Sequence, residues 1–330
     1  MTELLIAGII SCAAAFLAVY ICTPPLIRYL QARNLTVRDV NKPGNVMVVR
    51  PGGPSIMAGI MISEIILYVF LQSVEILAVI CTSILAFLVG YVDDRKIMGR
   101  WFKPVALAAA SMPILLLGAY DPVLAFPPFG AIHIPALYIG VVIFMIIVTG
   151  NTINSIDVLN GVASGFMVIA GFSLSASLLI LQNYEMALVS LPIGFVSLAF
   201  YKYHKAPSRI FPGDSGVLVL GAMYGTVAIT GQVEVIAAIA LLPAILNSFF
   251  FLSSVKRIVE HRQIRIKPVE HTEDMKLKAS SDARAPVTLV RLILARGPLS
   301  EKQVAKTILR LAAFSGMLAI ITALMTAVHA

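Results

Sequence analysis

Long apolar stretches alternate with short polar segments along the chain. A membrane-spanning helix needs about 20 mostly apolar residues, and roughly ten stretches meet that requirement. They lie near residues 4–23, 54–71, 76–92, 104–120, 136–150, 162–181, 186–201, 216–232, 234–253 and 309–328. The pattern predicts an all-α polytopic membrane protein with about ten transmembrane helices.

Basic residues occupy only alternate loops of this predicted bundle. All 25 Lys and Arg residues fall within 24–53, 93–103, 202–215 and 256–310, whereas the intervening loops carry only acids. Because Lys and Arg collect in cytoplasmic loops, we expect both termini outside and five cytoplasmic loops. The first stretch follows Glu3 and precedes basic residues, the reverse of a secretory signal. A short outer hairpin is predicted near 121–135, where Pro-Pro and Phe-Gly interrupt the chain.

Composition narrows the class of protein. The chain is 59% hydrophobic and 13% charged, with a mean hydropathy of +0.92, whereas soluble domains carry about 25% charged residues. Too little polar surface is available for a soluble enzyme, a disordered chain or a nucleic-acid-binding domain. The net charge of +8 therefore reflects topology and predicts no nucleic-acid partner. Cys12, Cys22 and Cys81 lie in apolar stretches and indicate neither disulfides nor a metal site.

Ionisable groups at the edge of a membrane bundle are costly, and a first concentration of them follows the third predicted span. Asp93 and Asp94 are adjacent there, and Lys103 lies shortly after them. Paired carboxylates can bind a metal–diphosphate complex or share a proton, and a lysine can hold a phosphate. The alternative is a solvated loop with helix-capping aspartates.

A second concentration recurs every three positions, at Asn151, Asn154, Asp157 and Asn160. On a helix this spacing makes one polar stripe, and such side chains can ligate a hard cation or recognise a base. A third concentration, Gly213-Asp214-Ser215-Gly216, begins the eighth predicted span. Asp214 suits a magnesium-bound diphosphate, although a simple helix cap remains the alternative. Since all three lie on predicted cytoplasmic loops, one site between a soluble anionic substrate and a lipid is expected.

Two further cytoplasmic segments carry candidate binding groups. The first contains Asp39, Asn41 and Lys42, before a Pro/Gly-rich entry to the second span that begins at Arg50. The second is the long loop 254–308, whose basic residues and His271 can bind sugar-nucleotide phosphates or anionic lipid. A turn in the first segment and a surface histidine in the second are the alternatives.

These motifs resemble those of the polyprenyl-phosphate N-acetylhexosamine-1-phosphate transferases, especially the dolichyl-phosphate enzymes that use UDP-GlcNAc. The resemblance covers nearly the whole chain. It rests on the Asp93-Asp94 pair with Lys103, the run Asn151 to Gly161, Phe211-x-Gly213-Asp214-Ser215, and Asp39-x-Asn41-Lys42. Val158 and Val162 replace the usual Gly and Leu, and the triple histidine of the muramoyl-pentapeptide branch is absent.

The resemblance implies a role for each matched residue. Asn154 and Asp214 are implied metal ligands for Mg²⁺, with Mn²⁺ as the alternative, and Asp93, Asp94 and Lys103 are implied catalytic residues. The implied substrate-binding residues are Asp39, Asn41, Lys42, Asn151, Asp157, Asn160, Arg265 and His271. Within this set, Asp157 and Asn160 are implied at the uridine end, and Lys42 and Lys103 at the phosphates.

The expected reaction is transfer of GlcNAc-1-phosphate from UDP-GlcNAc to a polyprenyl phosphate, with release of UMP. Residues 1–330 then form one transmembrane catalytic domain, with its site on the cytoplasmic face of the plasma membrane in a prokaryote. Another UDP-N-acetylhexosamine is the alternative donor substrate, and a homodimer is the alternative to a single chain. A transporter is the alternative class, but transporters place polar groups near the bilayer midplane. Only Glu64 lies there, and it is expected to be buried and paired, or to line a polar crevice.

Overall fold

Helix makes up 71% of the chain in the computed structural model. The structure describes residues 2–42, 44–96, 98–99, 101–126, 129–255 and 266–329. In these ranges the helices are α1 (Thr2–Ala32), α2 (Gly53–Leu71), α3 (Val74–Arg95), α4 (Phe102–Ala110), α5 (Met112–Leu116), α6 (Pro135–Ile156), α7 (Val162–Ile180), α8 (Tyr184–His204), α9 (Gly213–Thr230), α10 (Glu234–Ala240), α11 (Leu242–Val255), α12 (Leu289–Ile293) and α13 (Glu301–His329).

Eight helices in the described part of the chain are long and apolar enough to cross a membrane. They are α1, α2, α3, α6, α7, α8, α9 and α13, and each overlaps a predicted span. The prediction of a polytopic helical membrane protein is therefore confirmed, whereas the orientation of the bundle remains a prediction.

The other two predicted spans are interrupted helices. The ninth, 234–253, is divided into α10 and α11, which meet at an angle of 76°. The fourth, 104–120, is divided into α4 and α5 at Ser111. Pro113 and Pro243 each stand in the first turn of the second helix of their pair, where proline is well tolerated but cannot continue the preceding helix.

Three small antiparallel ribbons are an exception to the all-α prediction. Each pairs two strands: β1 (Thr36–Arg38) with β2 (Met47–Val49), β3 (Val123–Phe126) with β4 (Gly130–His133), and β5 (Val269–His271) with β6 (Leu277–Ala279). The β3–β4 ribbon confirms the hairpin predicted near 121–135. The other two ribbons lie in the first and last predicted cytoplasmic loops, and Val37 and Arg38 of β1 line the cavity described below.

Helix α9 forms the centre of the bundle. Its apolar segment is 94% buried, and it packs against α3, α6, α2 and α8. Gly90 of α3 permits the closest approach, since a Cβ there would lie 2.5 Å from the backbone of Ser215. Glu64 of α2 is fully buried, and within the described residues neither of its carboxyl oxygens has a hydrogen-bond partner. The expected pairing of Glu64 is therefore wrong.

Two distant loops run side by side at one end of this bundle, which we call the site end. The segment 49–53 bonds to 210–212 through Phe211 N–H to Val49 C=O (3.0 Å), Gly52 N–H to Phe211 C=O (2.8 Å) and Gly53 N–H to Pro212 C=O (2.9 Å). This pairing places Arg50 beside the first turn of α9. The site end therefore joins the first predicted cytoplasmic loop to the start of the central helix.

Candidate active site

A cavity of about 1130 Å³ opens at the site end. Its polar wall is formed by Asp39, Asn41, Arg50, Lys103, Asn151, Asn154, Asp157, Asn160, His204 and Asp214. Its apolar wall comes mainly from α6 and α11 and includes Phe144, Phe249 and Leu252, which are also exposed on the outer surface of the bundle. The cavity therefore joins a charged pocket to an exposed apolar surface. Most of the predicted site residues line it.

Asp214 is the centre of charge in the cavity. Its carboxylate forms an ion pair with Arg50 and another with Lys103, whose Nζ lies 2.6 Å from Asp214 Oδ1. Burial lowers the pKa of Arg50, but the carboxylates of Asp214 and Asp94 outweigh that effect and raise it overall. Two cations therefore face the cavity around one carboxylate, an arrangement suited to a diphosphate.

Asp94 anchors the first turn of α9 to the end of α3. Its oxygens accept hydrogen bonds from the backbone N–H groups of Asp214 and Ser215, both at 2.9 Å, and from Ser215 Oγ at 2.6 Å. The Arg50 guanidinium also forms an ion pair with Asp94, with Nη2 2.9 Å from Oδ1. The Asp94 side chain is 1% exposed and does not line the cavity. In this structure its carboxylate caps the neighbouring helix α9.

Gly213 makes that approach possible. Its φ is +72°, and a Cβ there would lie 2.6 Å from Pro51 Cβ and 2.8 Å from Asp94 Oδ2. Only glycine adopts this conformation without strain. The close contact with Asp94 and the positive φ therefore explain why glycine stands before Asp214.

Asp93 lies behind Lys103 and away from the cavity. Its Oδ2 is 2.9 Å from Lys103 Nζ, and its side chain is 1% exposed. Lys103 thus bridges Asp93 and Asp214. Both members of the aspartate pair act on the cavity through groups that line it, Asp93 through Lys103 and Asp94 through Arg50 and α9.

The polar run that begins at Asn151 follows a helix for only half its length. Asn151 and Asn154 occupy the last turns of α6, which ends at Ile156, while Asp157 and Asn160 lie in the connection to α7. The amide of Asn151 donates to Ile147 C=O at 2.8 Å. Burial raises the pKa of Asp157 to about 7, with Arg50 opposing and Asp214 and Asp94 adding to the shift.

Glu301, the first residue of α13, ties three segments of the site together. Its carboxylate accepts from the backbone N–H of Asn160 at 3.0 Å and pairs with Lys42. The Asn160 side-chain amide in turn donates to Asp39 at 2.8 Å. Asp39 and Glu301 are both nearly buried. This network fixes the 157–161 connection between the first loop and the last helix.

The last loop contacts the first loop at Asn41, which lines the cavity. His271 ends β5, is exposed, and its Nε2 lies 3.3 Å from Asn41 Oδ1. Leu277 and Leu299 exchange backbone hydrogen bonds of 2.8 and 3.0 Å, which connect β6 to the start of α13. The predicted substrate contact Arg265 lies outside the described residues.

The donor set at the cavity fits a divalent cation that arrives with its substrate. The two predicted ligands, Asp214 and Asn154, both line the cavity and offer a carboxylate and an amide oxygen. Mg²⁺ is commonly held by one or two carboxylates together with substrate phosphates. Among the described residues there is no cluster of three His, Cys, Asp or Glu side chains to hold a metal alone.

Polar residues at the site that were not predicted include Arg50, His204 and Glu301. Arg50 was visible as the one cation immediately before the Pro-Gly-Gly-Pro entry to α2. His204 and Glu301 carry no local signal, because each stands among other charged residues at a helix end. Their contacts depend on how α8 and α13 pack.

Fold and cavity together define an integral-membrane enzyme with a polar site at one end of a helical bundle. The chain matches the model of glycosyl transferase family 4 over residues 76–232. The chain is similar to that family over this stretch, and the match and its relatives support a sugar-phosphate transferase. The predicted resemblance is thereby confirmed, and the match favours an enzyme over the transporter alternative. The family generally depends on a divalent metal.

Curated relatives cover most of the chain. A Saccharolobus solfataricus protein, assigned as a UDP-N-acetylglucosamine–dolichyl-phosphate N-acetylglucosaminephosphotransferase, is 26% identical over 71% of this chain and 74% of its own length. A Sulfolobus acidocaldarius protein with the same assignment is 23% identical, over 72% and 76%. The phospho-N-acetylmuramoyl-pentapeptide-transferase of Thermodesulfovibrio yellowstonii is 26% identical, over 79% and 83%.

Proposed function

We propose that this chain transfers GlcNAc-1-phosphate from UDP-GlcNAc to a dolichyl-type polyprenyl phosphate and releases UMP. The observation that carries the proposal is the pairing of Arg50 and Lys103 with Asp214 in a cavity whose other wall is apolar and exposed. A charged pocket suits the two phosphorylated substrates, and the apolar wall suits a prenyl chain. The names of the two archaeal relatives support the same substrates.

The bond changes follow from the two substrates. An oxygen of the polyprenyl phosphate attacks the β-phosphorus of UDP-GlcNAc, and the bond from that phosphorus to the bridging oxygen breaks. UMP leaves with the electron pair of that bond. Because the second pKa of a phosphate monoester is near 6, the acceptor is largely dianionic at neutral pH. Direct attack therefore needs no strong base, and the site has mainly to position and neutralise charge.

The protein groups divide this work. Lys103 and Arg50 neutralise the phosphates, and Asp93 and Asp94 hold those two cations and α9 in place. Asp157 and Asn160 accept and donate hydrogen bonds at the nucleoside end. Asn154 and Asp214 would hold Mg²⁺, or Mn²⁺ in its place, which stabilises negative charge on the diphosphate when bound.

The rest of the predicted arrangement belongs to the same proposal. The site end faces the cytoplasm, both termini lie outside, and the chain works as one catalytic domain to which loop 254–308 contributes. The excess of basic residues in the loops at that end supports this orientation.

The test uses purified protein with UDP-[¹⁴C]GlcNAc, dolichyl phosphate and Mg²⁺. We expect label in the organic phase and an equal amount of UMP. Asp214→Ala should abolish UMP release at any ordinary Mg²⁺ concentration, and near-normal turnover by that variant would overturn the metal assignment. UDP-GalNAc and UDP-MurNAc-pentapeptide complete the substrate panel, the latter because of the muramoyl-pentapeptide relatives. Transfer from either one alone would overturn the choice of sugar.

A further inference from the structure

His204 is a buried polar residue at the cavity wall that the proposed reaction does not use. It lies in the last turn of α8 and is 1% exposed. Its Nδ1 lies 2.8 Å from Ser164 Oγ, and its Nε2 lies 3.6 Å from Asp157 Oδ1. The ring packs between Phe200 and Phe211, with centroid distances of 5.8 and 6.2 Å. One imidazole therefore connects α7, α8 and the 157–161 connection.

The two hydrogen-bonding partners of His204 determine which ring nitrogen carries the proton. A neutral imidazole has one N–H group and one acceptor nitrogen. The Asp157 carboxylate can only accept, so the N–H belongs on Nε2, and Nδ1 accepts from the Ser164 hydroxyl. The 3.6 Å separation exceeds an ordinary hydrogen bond of about 2.9 Å by roughly 0.7 Å. At this separation the Nε2–H group and the carboxylate attract each other without a full hydrogen bond.

This Ser–His–Asp order does not make a hydrolytic site. Ser164 is 2% exposed and does not line the cavity, so its hydroxyl cannot reach a substrate. Asp157 lines the cavity, and 16% of its side chain is exposed. The chain of contacts thus runs from a buried anchor, Ser164, through His204 at the cavity wall to Asp157, the most exposed of the three.

We propose that His204 is a positioning residue that fixes the Asp157 carboxylate as an acceptor for the donor groups of a nucleoside diphosphate. Those donors are the ribose hydroxyls and the imide N–H of uracil. The inference rests on the proposed function, because it assigns the nucleoside end of the UDP-sugar to Asp157. Its consequence is specific: loss of the Nε2 donor should weaken nucleotide binding and leave the chemical step intact.

Three variants of His204 separate this role from simple packing. In His204→Gln the side-chain amide nitrogen can occupy the place of Nε2, whereas in His204→Asn it can reach only the place of Nδ1. His204→Phe keeps a ring between Phe200 and Phe211 and removes both nitrogens. The measurements are KM for UDP-GlcNAc, kcat, and the Kd of UDP by calorimetry, for variants whose melting temperatures in detergent are also recorded.

We expect His204→Asn and His204→Phe to raise KM and the Kd of UDP about tenfold, as for loss of a hydrogen bond to a charged group. The kcat should remain within about twofold, and His204→Gln should recover most of the affinity. In the Asp157→Asn background, His204→Asn should add less than about twofold, because the two residues act as a unit. Wild-type affinity in His204→Phe, equal effects of Asn and Gln, or additive effects with Asp157→Asn would overturn the proposal.

Failure of this proposal can be told apart from failure of the proposed function. If wild-type protein transfers GlcNAc-1-phosphate and His204→Asn binds UDP normally, only the role of His204 is wrong. If wild-type protein transfers nothing from UDP-GlcNAc, the function is wrong, and the Kd of UDP still tests the coupling between His204 and Asp157. If wild-type protein does not bind UDP, both are wrong.

Discussion

Lys103 and Asp214 are 111 positions apart in the chain, yet Lys103 Nζ lies 2.6 Å from Asp214 Oδ1 within the cavity. Asp93 holds the same ammonium group from behind at 2.9 Å. The lysine is thus fixed between two nearly buried carboxylates, and one of them lines the proposed substrate pocket. A diphosphate that entered there would meet an ammonium group already in position.

Removal of the Lys103 charge should therefore damage catalysis more than folding. We expect Lys103→Met to lower kcat/KM for UDP-GlcNAc at least about 100-fold, the scale of losing one preorganised charge-stabilising group. Lys96→Met is the matched control, since Lys96 is exposed just after α3. Equal activities of the two variants would remove Lys103 from the mechanism.

Asp94 should affect stability strongly, because its carboxylate caps the central helix. Asp94→Asn leaves the amide nitrogen facing N–H donors and Arg50, and loss of one partner of a buried ion pair costs about 3–5 kcal/mol. We expect a lower melting temperature in detergent and lower yield. Asp121→Asn, which changes an exposed carboxylate outside the site, should melt like wild type. Wild-type melting of Asp94→Asn would show that the cap contributes little.

Asp157 should give nucleotide binding a pH dependence near neutrality. Its pKa is raised to about 7, so it is mostly protonated at pH 6 and mostly a carboxylate at pH 8. Since the carboxylate is the acceptor, KM for UDP-GlcNAc should fall as the pH rises through 7. Asp157→Asn should flatten that profile and leave any effect of acceptor phosphate ionisation on kcat. An unchanged profile in Asp157→Asn would assign the titration to another group.

Glu301 should link the last helix to substrate binding. Glu301→Gln keeps an acceptor for the Asn160 N–H but removes the charge that pairs with Lys42. We expect KM for UDP-GlcNAc to rise by about three- to tenfold, as for loss of a charge-assisted contact. Glu301→Ala should raise KM further and also lower the melting temperature, because it leaves the Asn160 N–H without a partner. Lys302→Gln, at an exposed neighbouring position, is the control, and a KM of Glu301→Gln equal to that of Lys302→Gln would contradict the role.

The apolar pattern was sufficient to locate the long helices, because each is apolar along most of its length, whether it lies at the outside of the bundle or, like α9, is buried within it. It did not reveal the 76° bend between α10 and α11, because both halves are apolar. Pro243 was the available signal for that break. The pattern also extended α1 only to residue 23, whereas the helix continues to Ala32 beyond the apolar core.

The candidate site was predictable where its chemistry is local and unpredictable where it depends on packing. Asp214 and Asn154 stand in short runs whose composition is unusual between two spans. Arg50 meets Asp214 across 164 positions, and Glu301 meets Asn160 across 141. These pairs form only after distant loops converge, so local spacing does not encode them.

The most direct test of the central claim follows the β-phosphorus. UDP-GlcNAc labelled with ³²P at the β-phosphate and ¹⁴C in the sugar is incubated with the protein, dolichyl phosphate and Mg²⁺. Both labels should enter the lipid in equal amounts, and unlabelled UMP should be released. Entry of ¹⁴C alone, with ³²P left in UDP, would mean transfer of the sugar without its phosphate and would contradict the account.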